Sequence, residues 1–341
     1  MKISNYLIIN HSIKMILKII LSFFLSLPVS YSSAKTLKVY SERQPQLIEP
    51  LMKEFEIQTG IAVEWIYSQK GLVQKIILER NNPVADIFLS SDISHLIDIA
   101  DAGATIKLTP KSNIPDYLQT DDWVALTKRA RIFYVSKDLN LKNLDYEDLV
   151  LPEYQGRICT RSGFHPYNVS LFASLLEHHD EQWLEDYLIQ LRSNLARKPQ
   201  GNDRDQVKAI YGGICDISLG NHYYYFQMLN DENQKVWLDQ ATILFPNQTN
   251  RGAHVNISGI ALLNEKTKTD SELLLNYLIS EAAQEIYANE NDEFPISVNI
   301  QPSARVQSIS NDIIFDELDL QKIADNRKTV LGILNKINFD Q

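Results

Sequence analysis

The chain has 341 residues, 44% hydrophobic and 22% charged, which supports a full core and, at roughly 100–200 residues per domain, two domains. A formal net charge of −10, with no dense basic run, argues against nucleic acid or an anionic membrane surface as the main partner.

At the start of the chain, Lys14 and Lys18 precede an apolar run from Ile19 to Val29, and Ser32-Ser33-Ala34 offers small residues for cleavage. That is the layout of a secretory signal peptide, residues 1–34, with Met15 as an alternative start. The apolar run is short for a bilayer span, and no cysteine near the exit offers a lipid anchor. A soluble periplasmic protein is expected. Export permits disulfides, and two cysteines exist, Cys159 and Cys215. Each lies in an apolar strand-like run, so they are either partners on neighbouring strands or free buried thiols.

From Leu37 to Gly103 strands alternate with helices. Leu37–Tyr40, Ala62–Tyr67 and Ala85–Leu89 read as strands. The helices between them run over Pro45–Gln58, stopped by Gly60, over Leu72–Asn81, and from Ile93 to Gly103. Such alternation predicts a parallel sheet covered by helices. An extended run at Trp123–Val135 then leaves the first unit for a second. There, strand Arg157–Thr160, helices near Asn168–Glu177, Gln182–Leu191 and Asp203–Tyr211, and strand Ile214–Leu219 follow. Strands Ala241–Phe245 and Val255–Leu263, a helix over Ser271–Asn289 and an amphipathic helix over Phe315–Asn338 complete the chain. Two α/β units joined by more than one crossing define a hinged two-lobe ligand trap. The expected lobes are 35–127 with about 252–301, and 128–251 with about 302–341.

The stretch from Gly212 to Met228 stands out, because strand Ile214–Leu219 leads through a Gly220-Asn221 turn into Tyr223-Tyr224-Tyr225. Ligands of open α/β sheets bind beyond the carboxyl ends of strands, where such turns lie. Tyr167 occupies the matching position after strand Arg157–Thr160, so phenols from both turns can converge. Arg43 follows the first strand, and Arg129 and Arg131 share one face of an extended run because side chains alternate. Aromatic packing is the bland reading of a tyrosine triplet, a helix cap that of Arg43, and a solvated edge that of the Arg129/Arg131 pair. No nucleophile elbow, H-E-x-x-H, Walker loop or dinucleotide fingerprint is present. The seven histidines are scattered apart from His178-His179, which has no metal-ligand spacing.

Seven motifs in order make the comparison specific: Tyr40-Ser-Glu-Arg-Gln-Pro, Lys128-Arg-Ala-Arg131, Arg161-Ser-Gly with Tyr167-Asn-Val-Ser, Ala196-Arg-Lys-Pro-Gln-Gly-Asn-Asp203, Gly220-Asn-His-Tyr-Tyr224, Phe245-Pro-Asn-Gln and His254-Val-Asn-Ile-Ser-Gly259. Over residues 35–341 the chain resembles the periplasmic ferric-ion-binding proteins, solute receptors of ABC-type iron importers. The resemblance implies a two-lobe α/β fold in which Fe³⁺ is held by Tyr167, Tyr223 and Tyr224, with Tyr225 left to packing. Many relatives carry a first-lobe histidine where this chain has Gln44-Pro45. The Arg-Gln-Pro form resembles a subset in which a synergistic anion, typically carbonate, completes the site. Arg43 and Arg131, with Arg129 in reserve, would hold that anion, since a guanidinium grips a planar oxyanion with two parallel hydrogen bonds. His165 and His222 match no family ligand. The implied partners are an inner-membrane ABC permease and its ATPase, with the receptor acting as a monomer. A receptor for another solute, such as an organic anion or polyamine, is the alternative on the same scaffold, and a periplasmic enzyme is the alternative from a different class.

Overall fold

The computed structural model describes residues 35–297, 299–309 and 312–341. The expected signal peptide, 1–34, lies outside them. Strand β1 (Thr36–Ser41) leads into helix α1 (Pro45–Thr59), strand β2 (Ala62–Tyr67), helix α2 (Leu72–Glu79), strand β3 (Ile87–Ser90) and helix α3 (Ile93–Asp101). Helix α1 buries Ile48, Leu51, Met52 and Phe55, one stripe at helical spacing, each worth about 1.5–3 kcal/mol of transfer free energy. It stops at Gly60, whose φ of 71° is the left-handed geometry that a helix end favours and a side chain resists. Strand β1 pairs in parallel with β2 and β3.

Strand β4 (Val124–Ser136) is thirteen residues long, and its partners change along its length. Val124–Ala130 lies antiparallel to β8 (Val255–Leu262), which also pairs with β3. Beyond Ala130 the partners are β6 (Ile217–Asn221) and β7 (Ala241–Leu244), both antiparallel. Strand β5 (Ile158–Cys159) lies parallel to β6. The parallel pairs sit in the two α/β units, while antiparallel pairs gather at the crossing strands, where the chain passes from one unit to the other. Helices α4 (Pro166–His178), α5 (Glu181–Asn194), α6 (Asp203–Tyr211) and α7 (Tyr223–Leu229) belong to the second unit. The later helices include α8 (Lys268–Leu278), α9 (Glu281–Asn291), α10 (Ala304–Gln307) and α11 (Leu320–Lys336). Helix α11 packs against both α4 and α3, with Arg327 paired to Asp98 at 2.9 Å.

Cys159 and Cys215 form a disulfide between β5 and the approach to β6, with Cα atoms 5.9 Å apart. Several expected elements shift, among them the tail helix, which begins at Leu320 behind its cap Asp319 rather than at Phe315. The helix expected over Ser271–Asn289 is two helices, because Ser280 turns extended and caps α9 by accepting from Ala283 N. Gly220 and Asn221 do not form a turn: they are the last residues of β6, opposite Ile132 and Arg131. The Tyr134 ring lies directly on Gly220, where a Cβ would stand 2.1 Å from Tyr134 Cε2. Glycine is needed there for close approach, not for turning. Ile214, expected in the strand, is 48% exposed and precedes it.

Candidate metal centre

The end of β6 is held from several sides. Asn221 N donates to Asp203 Oδ2 at 3.0 Å, and Tyr134 Oη donates to the Asn221 carbonyl at 2.7 Å. His222 is fully buried: Nδ1 accepts from Ala130 N at 3.2 Å, and Nε2 donates to the Asp292 carbonyl at 2.8 Å. Burial pushes its pKa down to about 4, so the ring is neutral with both nitrogens engaged by backbone. These anchors start α7 at Tyr223, and the Tyr223 and Tyr224 rings lie tilted by 39° with centroids 4.3 Å apart.

Tyr167 comes from a second loop. Pro166 opens α4, and His165 caps it by accepting from Tyr167 N at 3.2 Å. Asn168 pins that loop by donating to Thr160 Oγ1, the Arg161 carbonyl and the Ser162 carbonyl at 3.0–3.2 Å. His165 packs edge-on against Tyr167, and burial pushes its pKa down to about 3. The guanidiniums of Arg129, Arg161 and Arg131 lie 5.5, 5.6 and 6.0 Å from the Tyr167 ring centre.

Tyr167, Tyr223 and Tyr224 line one cleft of about 910 Å³, as do Arg129, Arg161, Arg204 and His165. Facing residues come from the first unit, among them Glu42, Arg43, Gln44, Asp92 and His95. Burial raises the pKa of Tyr223 well above the ordinary phenol value, and the neighbouring phenols Tyr167 and Tyr224 raise it further. Tyr224 is raised by burial and by Tyr167. Such phenols stay protonated until a cation displaces the protons, and a bound cation favours the phenolate. Tyr225 stands aside, edge-on to Phe226 at 5.4 Å.

The arginines divide. Arg129 Nη2 donates to the carbonyls of Ser91 and Ile257, the latter at 2.7 Å, and Nη1 reaches Tyr167 Oη at 3.3 Å. Burial pulls its pKa down, but the phenols of Tyr167 and Tyr223 more than offset this. Arg43 forms a buried bidentate pair with Glu293 at 2.8 and 2.7 Å. Arg131 is set apart from the other two. It does not line the cleft, and its guanidinium donates to Asp203 at 2.8 Å, Asn221 at 3.1 Å and Asn168 at 2.6 Å. The physical reason is Asp203, a buried carboxylate that also receives Arg161 at 3.0 Å and therefore requires cations. Among the described residues no group of three His, Cys, Asp or Glu could hold a metal, while three phenol oxygens line this one cleft. Asp203, Asn168, Asn221 and Glu293 were missed by sequence reasoning, although Asp203 ends one of the quoted motifs.

A cleft walled by two α/β units and lined with phenols and guanidiniums defines a solute-binding receptor. The sequence profile of the bacterial extracellular solute-binding proteins matches residues 82–324, and the chain belongs to this family. It is a binding protein, not an enzyme, and the family implies an ABC transporter as partner. Iron uptake protein A1 of Synechocystis is 31% identical over 318 residues, covering 89% of this chain and 87% of that protein. The apo ferric ion-binding protein A of Pasteurella haemolytica is 44% identical with a TM-score of 0.85, covering 90% of this chain and 99% of that one. A Trichodesmium protein solved with iron and citrate ligands is 29% identical with a TM-score of 0.83, covering 89% and 99%.

Proposed function

We propose that the chain is a periplasmic receptor that binds ferric iron through Tyr167, Tyr223 and Tyr224 and delivers it to an inner-membrane ABC permease and its ATPase. The observation that carries this reading is the meeting of three phenols, from the first turns of two separate helices, on one cleft wall flanked by guanidiniums. Fe³⁺ is hard and prefers anionic oxygen, and three phenolates balance its charge. A synergistic oxyanion such as carbonate then needs cations. Arg129 is the best placed: it lines the cleft, meets Tyr167 and keeps a buried Nε with no partner among the described residues. Arg43 faces the same cleft with both Nη groups engaged by Glu293, and Arg131 serves through Asp203 as support.

The lobes are read as 35–127 with about 252–301, and 128–251 with about 302–341. The change of partners along β4 after Ala130 supports a boundary near there. Residues 1–34 are read as a cleaved signal peptide, and the receptor as a monomer. Iron uptake by the purified chain tests the reading. Stoichiometric, coloured binding of ferric ion, weakening as pH falls because protons compete for phenolate, is expected. Affinity for an organic anion or polyamine without iron, or an iron affinity flat from neutral to mildly acidic pH, would overturn it.

A further inference from the structure

The cleft wall facing the tyrosines holds an arrangement that the ferric reading leaves unused. Glu42, just after β1, is 6% exposed, and its Oε2 accepts from Ser90 Oγ at 2.9 Å, Ser91 N at 3.2 Å and His95 Nδ1 at 2.9 Å. The Nδ1–H bond to a carboxylate fixes the ring orientation and leaves Nε2 as the working nitrogen. Nε2 has no partner among the described residues, the side chain is 19% exposed, and His95 lines the cleft. The place is tied to the phenols: Ser91, whose N–H meets Glu42, gives its carbonyl to Arg129, which reaches Tyr167 Oη.

Two nearby cations are otherwise engaged. Arg43 is paired with Glu293, and Arg327 with Asp98 at 2.9 Å. Burial lowers the His95 pKa, and the hydrogen bond and charge of Glu42 more than restore it, so the ring tends to the cationic form. A cationic imidazole does not ligate a metal, whereas it donates strongly to an oxyanion. Gln44, which lines the cleft beside Arg43, offers no charge of its own.

We propose that His95, oriented by Glu42, is a first-lobe donor through Nε2 to the oxyanion that enters with ferric ion, either carbonate or a carboxylate of an iron-chelating acid. This rests on the ferric reading above and names a contact within that cleft. The test is a titration of the iron-dependent colour with bicarbonate, and separately with citrate, on the native chain, His95→Ala and Glu42→Gln. His95→Ala should need about tenfold more of one anion for half-maximal colour, the size of a lost charge-assisted hydrogen bond. The anion that shows the shift identifies the source. The absorption maximum should stay in place, because the phenols are untouched. Glu42→Gln should shift the same anion in the same direction by a smaller factor. If His95→Ala does not fold, His95→Gln carries the test, since it keeps a donor for Glu42 and lacks the cation. Half-saturation within about twofold of native for both anions would overturn the proposal, given the tenfold expected. A displaced absorption maximum would also overturn it, placing the ring on iron. Absence of colour in the native chain would sink the ferric reading itself, a separate outcome.

Discussion

The two walls of the cleft use charge in opposite ways. On the tyrosine wall, neutral phenols share the opening with the guanidiniums of Arg129, Arg161 and Arg204, and the carboxylate that answers Arg131 and Arg161, Asp203, is buried behind them. On the facing wall, charged side chains line the opening themselves and are closed into pairs: Arg43 with Glu293, His95 with Glu42. The first wall gains anionic charge only when a cation displaces phenolic protons, so a metal is what it answers to. The second already carries balanced charge and can orient a ligand without supplying the bonds that hold it. On the proposed reading, selectivity for a hard cation belongs to the tyrosine wall.

The sharpest way to break this contrast is to remove a phenol. Tyr223→Phe or Tyr224→Phe should lower iron affinity more than about a hundredfold, since loss of mere supporting partners of a metal ligand costs 10–100-fold. Equilibrium competition against a chelator measures it. A similar loss on substituting Gln44 on the other wall would erase the distinction.

The next largest effect concerns the buried network. Asp203→Asn leaves Arg131 and Arg161 short of a counter-charge and should cost about 3–5 kcal/mol in urea unfolding. Burial alone would raise the Asp203 pKa, but Arg131 and Arg161 more than offset it and hold it below the usual carboxylate range. With the folded pKa below the unfolded value of about 3.9, its contribution is complete above that value and lost as pH falls through the folded pKa. Asp203→Asn should therefore flatten the acid limb of the stability profile. An acid limb as steep as the native one would show that the carboxylate is not the group being titrated.

Smaller again is Gly220→Ala, which forces a methyl against the Tyr134 ring and should cost about 1–3 kcal/mol by thermal unfolding. A neutral result would mean that β6 can shift without disturbing Tyr223. Smallest is Tyr225→Phe, expected to leave iron colour unchanged because the ring packs on Phe226.

Much of this was legible in the sequence. The alternation of strands and helices placed β1 to α3 within a few residues, because apolar periodicity and Gly60 are local signals. Tyr167, Tyr223 and Tyr224 could be singled out because strand ends in such sheets face ligands. The fates of the arginines were not legible. Arg43 meets Glu293 across 250 residues, and Arg131 meets Asp203 across 72, so no spacing rule connects them. Gly220-Asn221 misled because a Gly-Asn pair usually marks a turn, and only the Tyr134 ring explains the glycine inside a strand. The cysteines, 56 residues apart, left both outcomes open until β5 and β6 were seen to pair.

Tyrosinate ligation is tested most directly by the visible spectrum of the iron-loaded protein, recorded with bicarbonate for the native chain and for Tyr223→Phe. A tyrosinate-to-iron band in the native chain, with band and iron both lost in the variant, is the predicted result. A variant that keeps its colour and one iron per chain would contradict it.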